Sequence, residues 1–221
     1  MQITSPPQLV LGSTSPRRKQ LLGLGLLPFN VEAADIDETE TAGEQPRDYV
    51  GRLALQKARK VAERAEAGAL VLGSDTTVAL DGAILAKPVD EADAKRMLID
   101  LRNRKHQVYT AVAVVVAGTS TEYMEVVETE VPMRDYSDEE IDAYIATGDP
   151  MDKAGAYGIQ NASFRPVIGM RQCYASVMGF PICAVQKLLT KTGKALKAGV
   201  EERCQDLLDY QCPVFSKYLA G

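Results

Sequence analysis

The sequence predicts an α/β domain built on a mixed β-sheet. Helix-like and strand-like stretches alternate along the chain with no internal repeat. The run "ALVLGSD" is apolar almost throughout, as a strand buried on both faces is. Further on, the long apolar "HQVYTAVAVVVAG" and the alternating "EYMEVVETEVPM" follow each other across a short break, which makes them antiparallel neighbours.

In chain order, the first unit is a strand from Gln8 to Leu11, the turn "GSTS", and a helix from Pro16 to Leu22 that closes on Gly23 and Gly25. Ser15 suits the N-cap and Pro16 the first helical position. Arg17 and Arg18 then fall in the first turn, where the helix dipole favours acidic side chains. A short strand at "FNVEA" leads into the acidic, irregular "DIDETETAGEQP", which reads as a loop. From Pro46 a long helix carries Val50, Leu53, Ala54, Ala58, Val61 and Ala62 at helical spacing. Lys57 lies inside that stripe. It is therefore aimed at the core, where an ammonium needs a partner, or it snorkels out from the stripe's edge.

"ALVLGSD" reads as a buried strand that ends in Asp75, and "TTVALDGAILAKP" as two alternating strands joined by Asp81-Gly82, with Lys87 ending the hairpin. A helix from Asp90 to Leu101 opens on the capping pattern "DEAD". After the antiparallel pair, "SDEEIDAYIATG" is a helix with a capping box between Ser137 and Glu140 and a stop at Gly148. "DPMDKAGAYGIQ" has neither period and reads as a shaped loop. "PICAVQKLLTKTG" closes the domain as a helix, giving one domain over residues 1–192 and a helical extension over 193–221 that packs outside it or on a partner.

A chain of 221 residues can bury a core without staples. Its 25 basic and 30 acidic residues give a formal charge of −5, which argues against binding to nucleic acid or to an acidic membrane surface. No apolar run approaches the ~20 residues of a membrane helix. The opening "MQITSPPQ" lacks the pattern of a secretory signal, so the cytoplasm is the expected location. Cys173, Cys183, Cys204 and Cys212 form no C-x-x-C pair and read as reduced packing thiols. His106 is the single histidine, which excludes two-histidine mechanisms and histidine-rich metal sites. It begins a strand and reads as structural, and Tyr109 and Tyr157 read as core residues more readily than as stacking platforms.

The chemistry begins at "GSTSPRR". Free amides at a helix start, the hydroxyls of Ser13, Thr14 and Ser15, and the guanidiniums of Arg17 and Arg18 read either as a phosphate cradle or as a capped surface helix with solvated arginines. It is neither a Walker A loop nor G-x-G-x-x-G. Lys57 and Lys87 add cationic charge for a polyphosphate, and Asp75 adds a carboxylate that can bind a divalent cation or take a proton from water. That set suits hydrolysis of a phosphoanhydride.

"LGSTSPRRKQLL", "DIDE", "RLALQKA", "GSDTTVALDGAILAKP", "RKHQVYTAV" and "DKAGAYGIQ" resemble the successive motifs of the Maf family of nucleoside triphosphate pyrophosphatases, in that family's order. The resemblance implies a fold related to the inosine triphosphate pyrophosphatases: an elongated mixed sheet flanked by helices, with two lobes and a central cleft. It implies hydrolysis of a nucleoside triphosphate to the monophosphate and pyrophosphate, a divalent cofactor such as Mg²⁺ or Mn²⁺, a cytoplasmic location and a homodimer. Position by position, Asp75 matches the family's proton acceptor, and Ser13, Arg18, Lys57 and Lys87 match phosphate-handling positions. Arg17, Thr76 and Gln160 match positions linked to substrate choice. Metal ligation falls to Asp75, with Asp37 and Glu38 as further candidates from the acidic loop.

The loop "DKAGAYGIQ" is similar to the branch acting on dTTP and UTP. The Gln160 amide both donates and accepts, as pairing with a thymine or uracil edge requires. Departures from the family pattern are Ala86 before Lys87, where glycine is frequent, Asn161 after Gln160, and a loosely matching stretch from there to "VMGFP". The competing expectations are a pyrophosphatase for a purine or modified nucleotide and a weakly catalytic, nucleotide-binding regulator of cell division.

Overall fold

Three long strands carry the architecture of the protein, whose computed structural model describes residues 8–219. Residues 1–7, on which the reading of a signal-free N-terminus rests, lie outside the described residues. The strands are β1 (Leu9–Leu11), β2 (Asn30–Val31), β3 (Leu70–Leu80), β4 (Ala83–Leu85), β5 (Lys105–Val116) and β6 (Glu122–Pro132). The sheet runs β2-β1-β3-β5-β6, with β4 also paired to β3. β1 is parallel to both of its neighbours, and every other pairing is antiparallel. The expected mixed sheet is therefore present.

Around it lie α1 (Pro16–Gly23), α2 (Pro46–Ala62), α3 (Glu91–Leu101), α4 (Asp138–Ile145), the single turn α5 (Tyr174–Val177), α6 (Ile182–Lys191), α7 (Val200–Leu208) and α8 (Phe215–Leu219). Two 3₁₀ turns, Asp149–Asp152 and Ala154–Ala156, shape the loop after α4. The caps act largely as read. The Asp90 side chain accepts from Asp93 N–H, and Ser137 and Glu140 complete a capping box. Ser15 is the exception, since its side chain makes no cap. Its N–H donates instead to Ser13 Oγ at 3.3 Å.

One sequence expectation is corrected. Asp75 does not end a strand: β3 runs unbroken from Leu70 to Leu80, and Asp75 pairs with Ala111 in the middle of the ladder to β5. The polar triplet "SDT" looks like a terminus when read locally. The partner strand supplies the hydrogen bonds that carry the chain through it.

Alternate residues of β3 feed different cores. Val71 joins Val10, Ala111, Ala113 and the apolar stripe of α2 on one face. On the other face, Leu70 and Leu72 join Val112, Val114, α1 and α6, while Val78 and Leu80 join Val108, Val131, α3 and α4. Between those two apolar groups the same face carries the buried hydroxyls of Ser74, Thr110 and Thr129. Two lobes thus share one set of strands, with a polar waist between them. Helices α7 and α8 do not stand apart from this arrangement, because Val200, Cys204 and Tyr218 are buried in the core that contains α6. No helix among the described residues is long and apolar enough to cross a membrane.

Candidate active site

The site is built where α2 lies on β3. A Cβ on Gly73 would collide with Ala54 O and with Ala58, so the absent side chain lets the helix backbone rest directly on the strand. Lys57, one residue before Ala58 in the helix, thereby reaches Asp75, two residues beyond Gly73. Its Nζ donates to Asp75 Oδ1 at 2.6 Å and pairs with Glu38 Oε1 at 2.7 Å. Lys57 is 8% exposed and Asp75 6%, so this is a buried pair rather than a snorkelling lysine. Burial pushes the Asp75 carboxyl above the ordinary aspartate range, against the opposing pull of Lys57 and Arg18. A carboxylate held in that balance can take up a proton.

The acidic loop reaches the site because α2 fastens it. Tyr49 donates to Glu38 O at 2.9 Å, and Arg52 donates to both Glu44 oxygens at 2.7 and 2.6 Å and to Thr39 O at 3.1 Å. Arg52 correspondingly holds the Glu44 carboxyl well below its ordinary value. Glu38 is thus presented to Lys57, whereas Asp37 is turned onto its own loop, accepting from Thr39 N–H at 2.9 Å.

On the other side of β3, Arg18 Nη1 donates to the buried Ser13 Oγ at 3.3 Å and its Nε to Gly179 O at 3.1 Å. Burial lowers the Arg18 guanidinium, and Asp75 is the strongest of the charges acting against that effect. Ser74 Oγ lies 2.9 Å from both Gly179 O and Ala111 O. Thr110 donates to Ser176 O at 2.8 Å and hydrogen-bonds the Thr76 hydroxyl at 3.0 Å. Gly179 has φ +97°, and a Cβ there would crowd Thr76 Oγ1 at 3.1 Å, so the turn leaving α5 packs directly on the waist.

The fold therefore assembles Ser13, Arg18, Glu38, Lys57, Asp75 and Thr76. Arg17 is half-buried beside Arg18, while Lys87 and Gln160 are exposed, and among the described residues none of these three has a hydrogen bond or ion pair. The strand that leads to Lys87 runs back along β3: β4 is antiparallel to it, from Ala83 opposite Leu80 to Leu85 opposite Val78. The loop holding Gln160 is pinned on both sides, by Gly155 N–H to Ala86 O at 3.1 Å and by Asn161 Nδ2 to Asp149 at 3.2 Å. The departure at Asn161 thus has a structural role, since its Oδ1 also accepts from Phe164 N–H at 2.8 Å.

Sequence reading missed Ser74, Gly179, Tyr49 and Arg52. The "SDT" triplet offered a signal for Ser74, because a serine inside a buried run needs a partner. The other three act through contacts that no local pattern reports. His106, read as structural, is completely buried and shares a 2.8 Å hydrogen bond between its Nε2 and Tyr157 Oη.

Among the described residues no three acidic, histidine or cysteine side chains gather to hold a metal unaided. Asp75 and Glu38, both against Lys57, still fit an ion of the Mg²⁺ type, which takes one or two carboxylates and fills its shell with water and substrate phosphate.

The chain is similar to known proteins over most of its length. The dTTP/UTP pyrophosphatase of Koribacter versatilis is 45% identical over 185 residues, covering 84% of this chain and 94% of that protein. That of Shewanella oneidensis is 49% identical over 199 residues, covering 84% and 98%. Among solved structures, a nucleoside-triphosphatase described as a dITP/XTP pyrophosphatase from Mycobacterium abscessus is 17% identical and aligns with a TM-score of 0.41 over 57% of this chain and 74% of that one. The profile of the family described as Maf-like protein matches residues 8–192. With that match and those relatives, this chain belongs to the Maf family.

Proposed function

We propose that this protein hydrolyses nucleoside triphosphates, dTTP and UTP foremost, between the α and β phosphates to give the monophosphate and pyrophosphate. The observation that carries this reading is the buried Lys57–Asp75 pair beside Arg18, a carboxylate and two cations at the waist of the sheet. The names of the Koribacter and Shewanella relatives support the choice of bases.

In this reading Asp75 orients the attacking water and accepts its proton, for which a carboxyl raised by burial is suited. Lys57 holds Asp75 in place and keeps the carboxylate available in spite of its burial. The amides at the start of α1, Ser13, Arg17 and Arg18 bind phosphate oxygens and neutralise charge as pyrophosphate leaves, and Lys87 closes over the phosphates from the hairpin. Gln160 reads the pyrimidine edge with its amide, and Thr76 borders the same space. A Mg²⁺ or Mn²⁺ ion held by Asp75, with Glu38 beside it and Asp37 on the same loop, would supply charge neutralisation at the phosphates. A cytoplasmic homodimer is part of the same proposal.

The test is incubation of the purified protein with each common nucleoside triphosphate plus Mg²⁺ or Mn²⁺, with pyrophosphate measured against orthophosphate. Pyrophosphate from dTTP and UTP in preference to purine triphosphates is the expected result. Orthophosphate alone overturns the reaction, and comparable turnover of every base overturns the role of Gln160.

A further inference from the structure

The C-terminal extension closes over a small apolar cavity of about 20 Å³, and all four cysteines line it. The space admits one water-sized molecule. Cys173, Cys183 and Cys204 are buried, while Cys212 is half-exposed. Within the cavity Cys173 and Cys212 act on each other most strongly: Cys212 pushes the Cys173 thiol well up, and Cys173 draws the Cys212 thiol down. The chain holds this pair on both sides. Tyr210 Oη donates to Gln172 O at 2.8 Å, and Cys212 N–H donates to Gln205 Oε1 at 2.9 Å.

We propose that Cys173 and Cys212 are a redox-modification site: a hydroperoxide converts them to a disulfide that staples the C-terminal extension to the segment presenting Gly179 to Arg18. The roles within the pair differ. The neighbouring Cys173 comes first in drawing the Cys212 thiol below its ordinary value, whereas burial pushes Cys183 and Cys204 up. Cys212, half-exposed where the other three thiols are buried, therefore meets the oxidant. Its thiolate attacks a peroxide oxygen, the O–O bond breaks, and the departing hydroxide takes a proton to leave as water. Cys173 then attacks the resulting sulfenic sulfur, the S–S bond forms and a second water departs. In total the two thiols give up two electrons and two protons, and one hydrogen peroxide becomes two waters. This inference does not depend on the hydrolytic reading.

The experiment treats the reduced full-length chain with one equivalent of hydrogen peroxide, blocks remaining thiols, and maps the digest by mass spectrometry without reductant. A Cys173–Cys212 linked peptide, within a chain lighter by two hydrogens and restored by dithiothreitol, is expected. The bond should vanish in Cys212→Ser, persist in Cys204→Ser, and raise the thermal midpoint by roughly 5 °C. A bond between Cys183 and Cys204, a disulfide between chains, or oxidation of Cys212 to sulfinic acid with no linked peptide overturns the proposal.

Discussion

Neighbouring strands of the same sheet bury two polar pairs and treat them in opposite ways. On β3, Asp75 lies against Lys57, and both partners are charged groups taken out of water. On β5, His106 lies against Tyr157, and burial keeps the pair neutral: it lowers the imidazole to about 4 and raises the phenol. Among the described residues His106 Nδ1 has no hydrogen-bond partner, and burial alone shifts the ring. The second pair is scaffolding between strand and loop, since a neutral hydrogen bond satisfies the polar atoms at modest cost. The first is expensive, because desolvating two ions offsets much of their attraction. Such a pair near Arg18 and Glu38 is what the proposed hydrolysis requires of its site.

The comparison breaks first at Asp75. Asp75→Asn should remain folded, because the amide oxygen still accepts from Lys57, and should lose about 10² to 10⁴ in kcat. Circular dichroism and a pyrophosphate assay check it, and near-normal turnover would remove Asp75 from its catalytic role. Lys57→Met should instead act on stability, lowering it by about 3–5 kcal/mol at neutral pH by stranding the carboxylate. The sign with pH follows from the raised Asp75 value. A group favouring its protonated form when folded contributes stability fully below its unfolded value and loses it as pH rises through the folded one. Urea midpoints of Lys57→Met and the parent should therefore converge on acidification; a gap independent of pH would contradict the pairing.

His106 has the opposite sign. Its folded value, about 4, lies below the ordinary 6.5, so its contribution is present above 6.5 and is lost as pH falls through the folded value. The loss is roughly 3 kcal/mol. His106→Gln should flatten that part of the stability–pH curve and leave the pH dependence of turnover unchanged, as parallel melts and rate profiles would show. The smallest effect is expected of Ser74→Ala, about 1 kcal/mol, since Gly179 O keeps its bond from Arg18. A loss several times larger would mean that the hydroxyl, not the guanidinium, holds the turn.

Much of this was legible before folding. The apolar stripe of α2 announced a helix and singled out Lys57 as misplaced within it; the structure places that side chain on Asp75 and Glu38. Proline at the start of α1, the capping box of α4 and the Asp81-Gly82 turn appear where the residues indicate. The course of the chain through Asp75 was not legible, because a polar triplet looks like a strand's end until a partner strand is known. Nor was the fate of the acidic loop: Asp37 and Glu38 are adjacent and chemically alike, yet Thr39 claims one and Lys57 the other.

The sequence by itself determined the alternation of helices and strands, the antiparallel pair, the cationic start of α1 and the misplaced charge of Lys57, because periodicity, capping and residue chemistry are properties of a few neighbouring positions. Tertiary structure decided that Gly73 lets α2 settle on β3, that Arg18 is braced by the distant Gly179 carbonyl, and that four scattered cysteines share one cavity. Those outcomes depend on packing and hydrogen bonding between segments far apart in the chain, and no local pattern encodes which distant atom will fill a given space.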